Sequence, residues 1–86
     1  MKWQLLLSSA AAREYKNLDR QIMGPIKEKL RVIEQDPLSP DFSKALNGRP
    51  GLRAARTGNW RILYFATGGE INVVCIGHRR EVYKNL

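Results

Sequence analysis

The sequence predicts an α+β fold with the element order β-α-α-β-β-β, in which two N-terminal helices pack on one face of an antiparallel sheet. Two observations predict this fold. The first half carries an amphipathic stripe at helical spacing, and the second half carries three β-prone segments separated by glycine-containing turns. With 86 residues, the chain is expected to form a single domain over residues 1–86.

The N-terminal segment predicts a strand followed by a helix. Residues 2–7 are rich in leucine, and the apolar stretch is too short for a membrane span or a signal peptide, so we expect a cytoplasmic protein without a membrane partner. Ser8 or Ser9 can cap the following helix by accepting a hydrogen bond from a backbone N–H group, and that helix is expected to reach about Leu18.

The second helix is predicted from a stripe of apolar residues spaced four, four and three apart: Ile22, Ile26, Leu30 and Ile33. Asp19 can cap its first turn. Gly24-Pro25 predicts a late start or a kink, because proline removes a backbone donor from the helix. Asp36-Pro37 predicts the end of the helix.

The second half predicts a loop and then a meander of three strands. Residues 37–51 hold three of the four prolines and are expected to form a loop with one helical turn around residues 43–46. The strands are expected over residues 52–56, 60–66 and 71–76, with turns at 57–59 and 67–69.

Arg61 is the most informative residue of the predicted sheet. Side chains alternate along a strand, so Trp60, Ile62 and Tyr64 share one face, which we assign to the helix-covered core. Arg61 then points to the other, open face together with Leu63. Since an unpaired charge is costly to bury, this arginine is expected to meet a charged partner or a ligand.

The charge distribution indicates a polyanionic partner. The net charge is +7, and residues 1–43 contribute seven cations and six acids, whereas residues 44–86 contribute eight cations and two acids. Six of those eight cations are arginines, which bind phosphates with two parallel hydrogen bonds. A basic surface that serves only solubility is the alternative interpretation.

The single cysteine excludes a disulfide within the chain and a metal site built on several thiolates. Cys75 stands in the apolar run VVCI at residues 73–76, which is typical of a small buried side chain. No metal ligand set and no cofactor-binding motif is expected.

Three segments resemble the RelE/ParE superfamily of toxins, in the order and spacing of that family. KALNG at residues 44–48 resembles a K-x-L-x-G element. LRAARTGNWRILY at residues 52–64 resembles the family's central hairpin, and IGHRREVY at residues 76–83 resembles its closing I-x-H-R-x-x-x-Y segment. The resemblance covers nearly the whole chain.

This resemblance implies the toxin of a type II toxin–antitoxin system, a ribosome-dependent ribonuclease that cuts mRNA in the ribosomal A site. A ribose 2′-hydroxyl attacks the adjacent phosphate without a metal or cofactor, and a cognate antitoxin inhibits the toxin. By position, Arg61 and Arg79 match arginines that serve the scissile phosphate, Tyr83 matches a tyrosine that orients the substrate, and Arg56 matches a basic hairpin residue. Tyr83 is alternatively a residue that pins the tail to the sheet.

The sequence departs from the best-known members, which carry lysines on the strand before the hairpin turn, one of them proposed as the general base. Arginine stays protonated and is a poor base. His78 is the alternative acid or base, or else packs the tail. The remaining candidates for RNA binding are Arg53 and Arg80, which alternatively lie at a solvated edge or contact the antitoxin, and Lys44, a loop charge that touches nucleic acid at longer range.

Two other functions remain open from the sequence. One is a ParE-like poison of DNA gyrase, which shares the fold but usually lacks the full catalytic set. The other is a module that binds RNA or an antitoxin without catalysis, which the missing lysines allow. In the superfamily interpretations, an acidic antitoxin segment that folds on binding is the expected protein partner, beside the ribosome and mRNA.

Overall fold

The computed structural model describes residues 3–79 and shows two helices against a five-stranded sheet. The elements are β1 (Gln4–Leu7), α1 (Ser9–Lys16), α2 (Arg20–Gln35), β2 (Ser43–Ala45), β3 (Leu52–Thr57), β4 (Trp60–Thr67) and β5 (Glu70–His78). The strand order across the sheet is β1-β5-β4-β3-β2. The predicted α+β class is therefore confirmed, with the helices N-terminal to the central meander.

Two details of the sheet differ from the sequence prediction. β1 runs parallel to β5, so the sheet is mixed rather than wholly antiparallel. Turn residues dictate the direction of hairpin partners only, and no turn joins β1 to β5. Residues 43–45, expected in a helical turn, instead form the edge strand β2, which pairs with β3 and satisfies its backbone groups.

Both helices begin directly after the residues predicted to cap them, but only Ser8 caps with its side chain, since the Asp19 side chain forms no capping hydrogen bond. Ser8 Oγ accepts a hydrogen bond from the Ala11 backbone N–H at 3.0 Å, which fixes the first turn of α1. α2 begins directly after Asp19 and continues through Pro25, so the predicted late start is wrong. Proline removes one backbone hydrogen bond there, and the buried side chains of Ile26 and Ile33 hold the helix on the sheet.

The main core lies between the helices and one face of the sheet. Its buried members from the sheet include Ile62 and Tyr64 of β4, on the face predicted for them. The opposite face, predicted to be open, carries a second small core of Leu52, Ala54, Leu63 and Cys75. The turn after β2 supports this core, because the Leu46 backbone N–H donates to Leu52 O at 3.0 Å and Leu46 packs against the cluster.

A β-bulge in β5 decides which face each of its later residues occupies. Tyr64 pairs with Val73 and Leu63 pairs with Cys75, so Val74 is an extra residue in the ladder. Ile71 and Val73 face the helices before the bulge, and Ile76 faces them after it. Because the bulge shifts the alternation by one residue, Cys75 and then Gly77 turn to the face away from the helices.

Candidate nucleic-acid interface

Two arginines lie directly opposite each other on the face away from the helices. Arg56 of β3 pairs with Arg61 of β4, and Arg61 pairs in turn with Gly77 of β5. Like charges at such a position repel each other, and Gly77 adds no side chain beside them. The row Arg56–Arg61–Gly77 therefore forms a small positively charged surface. The repulsion between its two arginines is destabilising by itself, and the surface is suited to binding an anion.

The hairpin between β3 and β4 positions Arg61. Gly58 adopts a φ of 59°, which allows a two-residue turn at Gly58-Asn59. Arg61 Nη1 donates to Trp60 O at 3.2 Å and weakly to Gly58 O at 3.5 Å. These carbonyl oxygens orient the guanidinium but do not neutralise its charge, so it can still bind a phosphate.

Arg79 is held beside this hairpin through its backbone. Its N–H donates to Asn59 O at 2.7 Å, which continues the ladder one residue beyond β5. Alternation from Gly77 places Arg79 on the same face as Arg61, and its side chain is exposed. Three of the arginines named by the sequence, Arg56, Arg61 and Arg79, are thus brought to one end of one face.

A cavity of about 660 Å³ adjoins the arginine pair. Four cationic side chains line it, and Asp41 is the one acidic side chain among its lining residues. Among residues 3–79, none of the four cations forms an ion pair, although Lys29 Nζ lies 5.6 Å from the centre of the Phe42 ring. The cationic residues are Lys29, Lys44, Arg56 and Arg61. Lys44 therefore belongs to the same basic surface as the arginine pair.

Arg53 does not face this cavity. It occupies the face of Tyr64, its cross-strand partner, and its guanidinium is bound by protein oxygens. Arg53 Nη2 donates to Ser43 Oγ at 2.9 Å and to Leu38 O at 3.3 Å, and Nε donates to Ser43 Oγ at 3.2 Å. The structure thus gives Arg53 a role in holding the segment after α2, and its contact with RNA stays a prediction.

His78 also lies on the helix side. It pairs with Trp60, and the two rings meet edge to face at a centroid distance of 5.9 Å and an interplanar angle of 80°. The sheet separates this imidazole from Arg61. This position does not support a role for His78 as acid or base at the arginine pair, and the predicted alternative, packing of the tail, involves residues 80–86, which lie outside the described residues.

The other two sequence candidates, Arg80 and Tyr83, lie outside the described residues. Sequence reasoning missed Lys29, Asp41 and Phe42. Only the packing of α2 and the segment after it brings these three to the cavity, and no short motif joins them to the hairpin.

Cys75 is a buried thiol, as predicted. Desolvation raises its pKa to about 11, with further contributions from the Glu14 carboxylate and a hydrogen bond from Sγ to Glu14 Oε2 at 3.7 Å. Glu14 Oε1 also accepts from the Ile76 N–H at 2.9 Å. This carboxylate therefore satisfies an edge N–H group of β5 beyond the end of β1, and the thiol stays protonated and unreactive at neutral pH.

Within residues 3–79, no group of three or more histidine, cysteine, aspartate or glutamate side chains is arranged to hold a metal ion. No helix in the same range has the length and apolar character needed to cross a membrane.

Known structures resemble this fold over most of the chain. The toxin–antitoxin complex RelBE2 from Mycobacterium tuberculosis matches with a TM-score of 0.78 at 23% identity, covering 92% of this chain and 100% of that chain. The isolated RelE toxin from E. coli matches with a TM-score of 0.78 at 19% identity, covering 88% and 83%. The YoeB dimer from Staphylococcus aureus matches with a TM-score of 0.74 at 19% identity, covering 91% and 98%.

Comparison with curated protein sequences finds no significant match. At the family level, the model described as "ParE toxin of type II toxin-antitoxin system, parDE" matches residues 5–83. This match spans all the described strands and helices apart from the first residue of β1, and it includes the arginine-bearing hairpin. The chain therefore belongs to the ParE toxin family of type II toxin–antitoxin systems.

Proposed function

We propose that this toxin inhibits translation by cutting mRNA in the ribosomal A site, through attack of a ribose 2′-hydroxyl on the adjacent phosphate. The observation that carries the proposal is the cross-strand pair of Arg56 and Arg61 beside Gly77. Two arginines at directly opposite positions repel each other and destabilise the fold, and a neutral residue at either position would remove this repulsion. Binding of a phosphate between them offsets that repulsion.

The proposed reaction needs fixed positive charge. As the 2′-oxygen bonds to phosphorus, the bond to the 5′-oxygen of the next nucleotide breaks, leaving a cyclic phosphate and a 5′-hydroxyl. The 2′-hydroxyl loses its proton and the leaving oxygen gains one. Negative charge grows on the non-bridging oxygens, where guanidinium donors held by a rigid hairpin stabilise the transition state more than the ground state.

The roles of the residues follow from their positions. Arg61, oriented by the carbonyl oxygens of the hairpin, binds the scissile phosphate, and Arg56 and Arg79 add charge on the same face. Tyr83 keeps the orienting role that the family resemblance implies. None of the described residues is assigned as the general base, since His78 lies across the sheet.

A cognate antitoxin is the proposed protein partner. Several of the similar structures are toxin–antitoxin complexes, including those from Mycobacterium tuberculosis and Methanococcus jannaschii. The surface around Arg56, Arg61 and Lys44 has no ion-pair partner among residues 3–79, so an acidic segment would be complementary to it. With mRNA and the ribosome as targets, the toxin acts in the cytoplasm.

Primer extension on a defined mRNA in a reconstituted translation system tests the proposal. We expect cuts within A-site codons that require ribosomes, and a loss of these cuts in an Arg56→Gln, Arg61→Gln double variant. Arg31→Gln, which removes an exposed charge from α2, is the control and should cut like the parent. If the parent protein leaves the mRNA intact with and without ribosomes, the proposal is wrong.

Poisoning of DNA gyrase is the second candidate, and the match to the ParE toxin family favours it. A supercoiling assay with purified gyrase separates the two. Inhibition of supercoiling without cutting of mRNA would replace the first proposal with the second.

A further inference from the structure

The cavity beside the arginine pair has two unlike walls. The arginines of β3 and β4 form one wall, and the segment that leads into β2 forms the other, with Asp41 and Phe42. Its volume of about 660 Å³ lies in the range of small-molecule sites and exceeds what a phosphate alone needs. There is room for a nucleoside next to a phosphate bound by Arg56 and Arg61.

The wall that carries Asp41 is held in place from the helix side of the sheet. Tyr64 is fully buried, and its hydroxyl donates to Pro37 O at 2.6 Å. Arg53 binds Leu38 O and Ser43 Oγ, one on each side of Asp41 in the sequence. These bonds limit how far the segment can move, as a recognition surface requires.

The carboxylate of Asp41 is available to a ligand. Asp41 is exposed, and its side chain forms no hydrogen bond or ion pair with residues 3–79, although four cations line the same cavity. Only its backbone is bound, since the N–H donates to Ser39 Oγ at 3.2 Å. A carboxylate in a basic cavity weakens the binding of every phosphate, so it favours only those ligands that bring donors to it.

Among the RNA bases, guanine fits an ionised carboxylate best. A carboxylate only accepts hydrogen bonds and can accept two in parallel. Guanine presents two adjacent donors, N1–H and the N2 amino group, on its Watson–Crick edge. Adenine and cytosine each present one amino group next to an acceptor nitrogen, and uracil presents one N–H between two carbonyl oxygens. Phe42 also lines the cavity beside Asp41, with Lys29 Nζ lying 5.6 Å from the centre of its ring.

We propose that Asp41 is a specificity-determining residue that selects guanine in the nucleotide next to the phosphate bound by Arg56 and Arg61. The inference rests on the proposed function in taking RNA as the ligand. It concerns binding, however, and is tested without cleavage.

The test is a titration of the purified protein with GMP, AMP, CMP and UMP, followed by the amide chemical shifts of residues 41–44. We expect GMP to bind at least about fivefold more tightly than each of the others, the lower end of what one good bidentate base contact gives. Asp41→Asn, which presents an amino group as well as an oxygen, should reduce this preference to less than about twofold while AMP, CMP and UMP bind no more weakly.

Asp19→Asn is the matched control, since it makes the same change of net charge. Asp19 lies about 15 Å along α2 from Lys29, and asparagine is as good a helix cap as aspartate. It should leave the preference for GMP unchanged.

Equal affinities for the four nucleotides, no detectable GMP binding at millimolar concentration, or the same selectivity in Asp41→Asn and the parent would each overturn the inference. A clear GMP preference that depends on Asp41, in a protein that cuts no mRNA, would support this inference and contradict the proposed nuclease. Cutting of mRNA without any base preference would support the proposed nuclease and contradict this inference.

Discussion

Replacing Arg56 with glutamine should make the toxin more stable and, at the same time, a weaker binder of RNA. Arg56 faces Arg61 directly across the hairpin, and its side chain forms no hydrogen bond or ion pair with residues 3–79. Removing one of two like charges at such a position relieves roughly 0.2–1 kcal/mol. For a domain of 86 residues, a gain near 0.5 kcal/mol raises Tm by about 2–4 °C.

The salt dependence identifies the cause of this gain. At an ionic strength of about 0.1 M the screening length is near 10 Å, and at about 1 M it is near 3 Å, shorter than the separation of the two guanidinium groups that we expect. Urea unfolding of Arg56→Gln and the parent should therefore differ at low salt and converge at high salt. The slope of the logarithm of single-stranded RNA affinity against the logarithm of salt concentration should fall by about 0.7, the effect of one lost phosphate contact.

Arg31→Gln provides the contrast. Arg31 is exposed on α2, with Glu28 and Glu34 three residues away on either side, so its removal should cost a few tenths of a kcal/mol at low salt. If Arg56→Gln is less stable than the parent at low salt, or if its gain in stability persists unchanged in 1 M salt, then repulsion between Arg56 and Arg61 does not destabilise the parent as argued.

Three further predictions concern the two groups that hold the cavity wall in place and the buried thiol of Cys75. Tyr64→Phe removes the hydroxyl that donates to Pro37 O and leaves a buried carbonyl unsatisfied, so the free energy of unfolding should fall by about 1–3 kcal/mol in urea titrations with an unchanged m-value. Arg53→Lys cannot reproduce the forked contact with Ser43 and should speed hydrogen exchange over residues 38–43, while the salt slope of RNA binding stays that of the parent; a reduced slope would place Arg53 in the interface. Cys75 ionises near pH 9.0 when unfolded and near 11 when folded, so the parent should lose up to about 3 kcal/mol of stability as pH rises through this interval. The Cys75→Ala variant should not show this loss of stability between pH 9.0 and about 11. Identical profiles of stability against pH for the variant and the parent would contradict the assigned pKa.

Local rules of the sequence determined much of this protein. The cap at Ser8, the apolar stripe of α2 and the two glycine turns are short-range features, and the structure confirms each of them. Strict alternation along β4 predicted that Arg61 lies on the face of the sheet away from Ile62 and Tyr64. The structure confirms this, because no extra residue interrupts that strand.

Tertiary structure alone decided which other side chains join Arg61. Without the bulge at Val74, alternation from Ile71 and Val73 would turn Gly77 toward the helices and His78 toward Arg61. The bulge reverses both. Its position depends on fitting apolar residues into two cores at once, one on each face of the sheet, and the second core was not foreseen.

The cavity is likewise a product of long-range packing. Packing of α2 brings Lys29 to the hairpin arginines, and Arg53 and Tyr64 hold the segment that carries Asp41 beside them. The sequence determined the elements other than β2, the basic half and Arg61 through interactions between near neighbours along the chain. Which charges share a surface depended on side chains far apart in sequence packing on both faces of one sheet.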